Sequence, residues 1–181
     1  MRLEGRRIGV LVGPGFEDLE FWVTVMRLKE EGARVTVIGA KAGETCRSKS
    51  GGLEAVAERA ARDVAPEELD AIVVPGGWAP DKLRRDPGVT ALVRALDRQG
   101  KIVGAICHAG SVLISAGIVK GRRATGSEAI RDDLVNAGAT WVDQPAFRDG
   151  NIVWGRVVAD IPDFCRELVA AIAAAVPAGR A

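Results

Sequence analysis

The sequence predicts an α/β fold in which helices cover both faces of a mostly parallel sheet. Short apolar runs alternate with segments of helical periodicity along the 181 residues, and the main strand candidates are continuously apolar. Continuous apolar strands are typical of parallel sheets that are buried on both faces. The chain shows no internal repeat, low-complexity segment or linker, so residues 1–181 are expected to form a single domain.

The first half of the chain predicts three strands, one helix and one hairpin. The helix carries Phe21, Val25 and Leu28 on one stripe, and Gly32 ends it. The Ser-Gly-Gly turn at residues 50–52 favours a hairpin. The predicted boundaries are Arg6–Val12, Arg34–Ala40 and Asp70–Pro75 for the strands, Glu17–Glu31 for the helix and Thr45–Glu58 for the hairpin.

The second half predicts four helices, one buried strand and a second hairpin. The buried strand runs directly into the helix that follows it, and the Asp-Gly pair at residues 149–150 is typical of a hairpin turn. Cys165 lies on the apolar stripe of the last helix and is assigned to the core. The predicted boundaries are Pro87–Gln99, His108–Ala116, Ala129–Asn136 and Ile161–Ala175 for the helices, Lys101–Ile106 for the strand and Trp141–Val153 for the hairpin.

Composition and charge exclude several classes of function. The formal net charge is +1, so bulk electrostatics favour neither nucleic acid nor an anionic membrane as a partner. No apolar run reaches the roughly 18 residues of a membrane span, and residues 1–7 lead directly into a strand rather than forming a signal peptide. Three cysteines without a CxxC pair argue against a disulfide framework and favour a reducing compartment. We therefore expect a cytoplasmic protein.

No cofactor or metal ion is predicted. The glycine-rich turn at residues 13–15 lacks the third glycine of a dinucleotide loop. The carboxylates of Glu17, Asp18 and Glu20 follow that turn and would repel a pyrophosphate. His108 is the single histidine, which leaves too few ligands for a metal-dependent hydrolase.

Cys107 is the main candidate for chemistry. Ligands bind beyond the carboxyl ends of the strands in such sheets, and Cys107 stands where a buried strand turns directly into a helix. This is the geometry of a nucleophile elbow, and the small residues Ala105 and Ala109 allow a sharp turn. The N-terminus of the helix should lower the pKa of the thiol, and backbone N–H groups of the turn could stabilise an oxyanion. The alternative is that Cys107 is a small buried core residue.

Other candidate residues follow neighbouring strand ends. Gly76 and Gly77 can present amide donors toward the same crevice, or can form only a tight turn. Glu17 favours a helix N-terminus, whereas Glu20 lies about one turn inside the helix, on the face of the strand ends. His108 is the only base for a Cys–His scheme, yet adjacent residues on a turn rarely point at each other. It could instead face solvent, a substrate or another subunit.

Several segments, in order and over roughly residues 6–172, resemble the ThiJ/PfpI superfamily. The stretch AICHAGSVLISAGIVKGRRAT resembles its active-site segment, and VVPGGWAPDKLR resembles its diglycine segment. GFEDLEFWVTVMRLKEEGARVTVIG resembles its first helix and second strand, and IRDDLVNAGATWVD and DIPDFCREL resemble its C-terminal part. The similarity is closest to the PfpI branch.

This resemblance implies a flavodoxin-like three-layer sandwich, similar to the class I glutamine amidotransferases, with Cys107 as a nucleophile on a strained backbone. It implies that a protonated Glu20 hydrogen-bonds the thiolate, that Glu17 lies in the same pocket, and that Gly77 contributes an oxyanion amide. His108 would pair with a carboxylate from another subunit, within a homodimer or homohexamer.

The sequence differs from the family pattern in three places. Asp81 stands where a PfpI protease has glutamate, and its side chain is one methylene shorter. Residues 109–110 are Ala-Gly where the pattern has Gly-Pro, and Ser127 stands where a tyrosine is common. These differences weaken the implied inter-subunit triad and hence proteolysis. They do not affect the pairing of Glu20 with Cys107.

Three functions remain open at the level of the sequence. The first is a stress-response enzyme, deglycase-like or glyoxalase-like, in which Cys107 attacks a reactive carbonyl and Glu20 moves a proton. The second is an intracellular peptidase that uses Cys107, His108 and Asp81 of a partner subunit. The third is a non-enzymatic redox-sensing or chaperone-like stress protein in which Cys107 is oxidised to a sulfinate. We expect the first, with a small-molecule carbonyl or a peptide as substrate.

Overall fold

The computed structural model describes residues 1–175, so the last six residues of the predicted domain lie outside the described part. Short 3-10 turns join several of the helices and strands. Along the chain, the elements are β1 (Arg7–Leu11), α1 (Asp18–Glu30), β2 (Arg34–Gly39), β3 (Thr45–Arg47), β4 (Glu54–Val56), β5 (Arg59–Ala60), β6 (Ala71–Val74), α2 (Ala79–Leu83), α3 (Pro87–Arg98), β7 (Ile102–Ile106), α4 (Gly110–Ala116), β8 (Arg123–Ala124), α5 (Arg131–Asn136), β9 (Thr140–Trp141), β10 (Ala146–Asp149), β11 (Ile152–Gly155) and α6 (Ile161–Ala174).

Seven strands form the central sheet in the order β10-β11-β7-β6-β1-β2-β5. The β10–β11 pair is antiparallel, and the other neighbours in this sheet are parallel. From β1 the chain moves first to β2 on one side and later to β6 on the other. The crevice between β1 and β6 is therefore a topological switch point, the place where ligands bind in open α/β sheets.

Helices cover both faces of this sheet. The connections β1-α1-β2 and β6-α3-β7 run in opposite directions along the sheet, so right-handed crossovers place α1 and α3 on opposite faces. Helix α6 packs beside α1, and α4 packs beside α3. The central strands are buried throughout, as expected for strands covered twice. The predicted α/β architecture with a mostly parallel sheet is confirmed.

Local sequence explains where several helices begin and end. Asp86 caps α3, because its carboxylate accepts the Val89 N–H at 3.0 Å, and Pro87 occupies the first helical position. Gly117 ends α4 in the left-handed conformation, at a φ of 73°. The first hairpin also forms as predicted, with β3 and β4 antiparallel around the turn near Gly51.

Three predicted elements differ from the structure. The helix predicted from His108 begins as a 3-10 turn and becomes α4 only at Gly110, and the helix predicted from Ala129 likewise begins as a 3-10 turn. The second hairpin is shorter than predicted, because Pro145 interrupts the extended segment and β10 starts after it. Trp141 belongs instead to β9, which pairs in parallel with β8 outside the main sheet. Helix α2 was not predicted.

No helix among residues 1–175 is long and apolar enough to cross a membrane.

Candidate active site

Three loops meet at the carboxyl ends of β1, β6 and β7, beside the switch point. Backbone hydrogen bonds join the first two loops, from Glu17 N to Gly76 O at 3.1 Å and from Trp78 N to Gly15 O at 2.8 Å. Together with the turn at Cys107 they form a pocket of about 380 Å³. The pocket is lined by Glu17, Lys49, Gly77, Trp78, Cys107, His108, Ser127, Val157, Val158 and Ala159.

Cys107 occupies a strained turn. Its φ is 62°, and no other non-glycine residue within 1–175 has a positive φ. Such a conformation costs of the order of 1–3 kcal/mol and persists only where the surroundings impose it. Ile106 before it is extended, and a helical turn begins at Cys107 itself. The structure therefore contains the sharp strand-to-helix turn that the sequence predicted.

Glu20 brings a buried carboxyl group to this turn. Its side chain is fully buried, and Oε2 accepts the Gly76 N–H at 2.7 Å. Burial raises the pKa of Glu20 to about 7, and the nearby charge of Glu17 adds to the effect. The other oxygen, Oε1, has no partner of ordinary hydrogen-bond geometry among the described residues. The polar side chain that interacts with this carboxyl is the thiol of Cys107.

Burial also raises the pKa of the Cys107 thiol, and the negative charge of Glu20 adds to the effect. The backbone N–H groups of Gly77 and His108 lower it, because they donate toward the sulfur. The net direction is opposite to the one expected from the helix N-terminus, because burial of the sulfur and the charge of Glu20 together outweigh the backbone donors. Each negative charge disfavours the other, so ionisation of one of the two side chains opposes ionisation of its neighbour.

His108 lies beside the sulfur rather than away from it. Its Nδ1 is 3.2 Å from Cys107 Sγ, although the sequence suggested that adjacent side chains would diverge. The 3-10 turn at Cys107–Ala109 allows this approach. Burial lowers the pKa of His108, and the positive charge of Lys49 adds to the effect. A neutral imidazole at this place can accept a proton from the pocket.

Glu17 and the two glycines have separate roles. Glu17 caps α1, because one of its carboxylate oxygens accepts the N–H groups of Leu19 and Glu20 at 2.9 and 2.8 Å. It also lines the pocket, as expected. The Gly76 N–H is bound to Glu20, so of these two glycines it is Gly77 that directs its N–H toward the sulfur.

Asp81 is not part of this pocket in a single chain. It lies on α2 with 77% of its side chain exposed, and its carboxylate is 3.3 Å from Arg85. Within residues 1–175, no group of three or more His, Cys, Asp and Glu side chains could hold a metal ion. Cys46 and Cys165 are buried and are free thiols, like Cys107.

Sequence reasoning missed two parts of the pocket wall, Lys49 and residues 157–159. The wall at residues 157–159 follows β11, a strand parallel to β7, so the rule that ligands bind beyond carboxyl ends could have found it. Lys49 has no comparable signal. It reaches the pocket because the first hairpin is held to the loop after β1, through the hydrogen bond from Lys49 N to Phe16 O at 2.8 Å.

The chain is similar to known proteins over most of its length. The DJ-1/PfpI family matches residues 6–171. A Pyrococcus abyssi protein named as a deglycase is 39% identical over 163 residues, which cover 90% of this chain and 97% of that protein. General stress protein 18 of Bacillus subtilis is 38% identical, over 92% of this chain and 97% of its own. The crystal structure of Drosophila melanogaster DJ-1beta superposes with a TM-score of 0.86 and is 26% identical, over 94% of this chain and 91% of its own.

Proposed function

Since the chain belongs to the DJ-1/PfpI family, we propose that it is a cysteine-dependent enzyme of the stress response that acts on reactive carbonyls. The substrates are 2-oxoaldehydes such as methylglyoxal, or the adducts that these aldehydes form on proteins. The names of the similar Pyrococcus and Bacillus proteins support this assignment. The cytoplasm, where such aldehydes arise and thiols stay reduced, is the compartment we propose.

We propose that Glu20 and Cys107 share one proton, and that this sharing makes the first step possible. When the proton lies on Glu20, the sulfur of Cys107 is anionic and can attack the aldehyde carbon. The C–S bond forms, the carbonyl electron pair moves to oxygen, and Glu20 delivers its proton to that oxygen, which gives a hemithioacetal. The Gly77 N–H group stabilises the developing oxyanion. His108, held neutral and 3.2 Å from the sulfur, is placed to accept the next proton from the bound substrate.

The observation that carries this proposal is the buried carboxyl of Glu20 next to a sulfur on a strained elbow. We expect Cys107→Ala to abolish methylglyoxal turnover, measured as loss of the aldehyde and formation of 2-hydroxy acid, while circular dichroism stays unchanged. Cys165→Ala is the matched control, because it removes a buried thiol outside the pocket. Full activity of Cys107→Ala would disprove the proposal.

The approach of His108 to Cys107 also favours a second function, intracellular peptidase activity. Such a reaction needs an acid to orient the imidazole, and we propose Asp81 of a second copy in a homodimer or homohexamer. Its exposed side chain is available for such a contact. Cleavage of unfolded casein should then depend on both His108 and Asp81. A purified oligomer, sized by light scattering, that cleaves no casein would contradict this second function.

A further inference from the structure

A second depression adjoins the Cys107 pocket. Its volume is about 350 Å³, and Val157 lines both depressions. Gly126 and Ser127 are adjacent in the chain, and each lines one of the two. A Cβ atom on Gly126 would stand 2.5 Å from the carbonyl oxygen of Cys107. The second depression therefore begins directly behind the nucleophile elbow.

A fixed wall runs along both depressions. Arg156 follows β11, and its Nη1 donates to Asp143 Oδ1 at 2.7 Å while its Nε donates to Asp160 Oδ2 at 2.9 Å. These two carboxylates raise the pKa of Arg156. Residues 157–159, which line the Cys107 pocket, lie in the chain between Arg156 and Asp160. The ion pair of Arg156 with Asp160 therefore joins the two ends of the segment that lines both depressions.

The charges of the second depression are balanced. Arg131 and Arg156 line it together with Glu128 and Asp143. Arg131 lies 3.8 Å from Glu128, and Arg156 is bound to Asp143. A phosphate group would meet cations that are already paired and carboxylates that repel it, so a nucleotide is disfavoured.

The remaining surface suits a neutral, amphipathic chain. Trp141 is partly exposed and presents an aromatic surface among hydrogen-bonding groups. Peptide N–H and C=O groups need such partners, and an apolar side chain can pack on the indole. A molecule as small as methylglyoxal, bound at Cys107, would leave this depression unused.

We infer that the depression lined by Trp141, Arg131 and Arg156 is a second subsite, which binds the polypeptide next to a carbonyl-modified side chain while the modified carbon lies at Cys107. The inference rests on the proposed carbonyl chemistry for the reacting step. It assigns to Trp141 and Arg131 the discrimination between an adduct carried by a peptide and the free aldehyde.

The test compares two substrates in variants of the full chain. The substrates are methylglyoxal and a capped, fluorescein-labelled seven-residue peptide whose single arginine has been modified with methylglyoxal. The variants are Arg131→Ala and Trp141→Ala, and Arg166→Ala is the matched control. Arg166 is also exposed and also pairs with an acid three residues away, but it lies on α6, outside both depressions.

We expect the ratio of kcat/KM for the peptide to kcat/KM for methylglyoxal to fall about tenfold in Arg131→Ala and Trp141→Ala, or about 1.4 kcal/mol. Arg166→Ala should keep the wild-type ratio. Fluorescence anisotropy in a Cys107→Ala background measures binding of the same peptide without turnover, and the Kd should rise by the same factor. Arg131 is about half exposed, so its replacement decides the result if Trp141→Ala fails to fold.

An unchanged ratio and an unchanged Kd in Arg131→Ala would overturn the inference. Tighter, Arg131-dependent binding of methylglyoxal-modified guanosine monophosphate would also overturn it, in favour of a nucleotide. If wild type turned over neither substrate but the Arg131-dependent peptide binding persisted, the subsite would stand and the proposed function would fail.

Discussion

Replacing Glu20 tests whether its carboxyl shares a proton with Cys107. Glu20→Gln keeps an N–H donor near the sulfur, whereas Glu20→Leu keeps the volume but removes every donor. At pH 6, below the pKa of about 7, the wild-type carboxyl is mostly protonated and carries little charge. Replacing it by either neutral side chain therefore removes little charge at this pH. The two variants differ from each other mainly in whether a donor can hydrogen-bond the sulfur.

The expected magnitude follows from that hydrogen bond. A hydrogen bond to a charged group contributes about 1.5–3 kcal/mol, which corresponds to about one to two pKa units at 1.36 kcal/mol per unit. Glu20→Leu should raise the pKa of the thiol by that amount relative to Glu20→Gln. The rate of alkylation of Cys107 at pH 6 should then fall by about 10- to 100-fold.

The assay follows alkylation by iodoacetamide from pH 5 to pH 9, with mass spectrometry of the peptide that contains Cys107. Cys46 and Cys165 are 0% and 5% exposed and serve as slow internal standards. Thermal unfolding of both variants shows whether the fold is intact. Identical pH profiles for wild type, Glu20→Gln and Glu20→Leu would refute the shared proton.

Three further predictions concern stability. In a Cys107→Ser background, Glu20→Gln should raise the free energy of unfolding by about 3 kcal/mol more at pH 8 than at pH 4, measured by urea denaturation. The pKa of Glu20 is about 7 in the folded state against the ordinary 4.5, so the protein with Glu20 loses stability as the pH rises between those values, whereas the Gln variant does not. Equal gains at both pH values would contradict this prediction. Gly77→Ala should lower the free energy of unfolding by about 2 kcal/mol or more and reduce carbonyl turnover, because φ is 81° and a Cβ would lie 2.5 Å from the backbone of the loop after β1. An unchanged melting temperature would count against this prediction. Gly155→Ala should lower the free energy of unfolding by about 1–3 kcal/mol, because the added Cβ would lie 2.8 Å from the Phe164 ring. Adding Phe164→Leu should restore part of that stability in calorimetry, and no recovery would point to another cause.

Much of the fold could be predicted from local patterns. The boundaries of β1, β6 and β7 follow from continuous apolar runs, and each agrees with the structure to within one or two residues. Helices α3 and α6 follow from their apolar stripes in the same way. The second hairpin was placed too early, since the effect of Pro145 on strand pairing depends on neighbouring strands that the local pattern does not show.

The sequence by itself determined the elbow and its nucleophile candidate, because a buried strand, small residues and a helix start are all local to Cys107. Only the tertiary structure decided what surrounds the sulfur. Glu20 comes from the first helix and lies beside Cys107, and Lys49 comes from a hairpin and lines the same pocket. The ends of β1, β6 and β7 meet there because these strands are neighbours in the sheet. The direction of the thiol pKa and the second depression beside Trp141 depend on this non-local packing. Burial and charge act through space, so they are decided by strand order rather than by position along the chain.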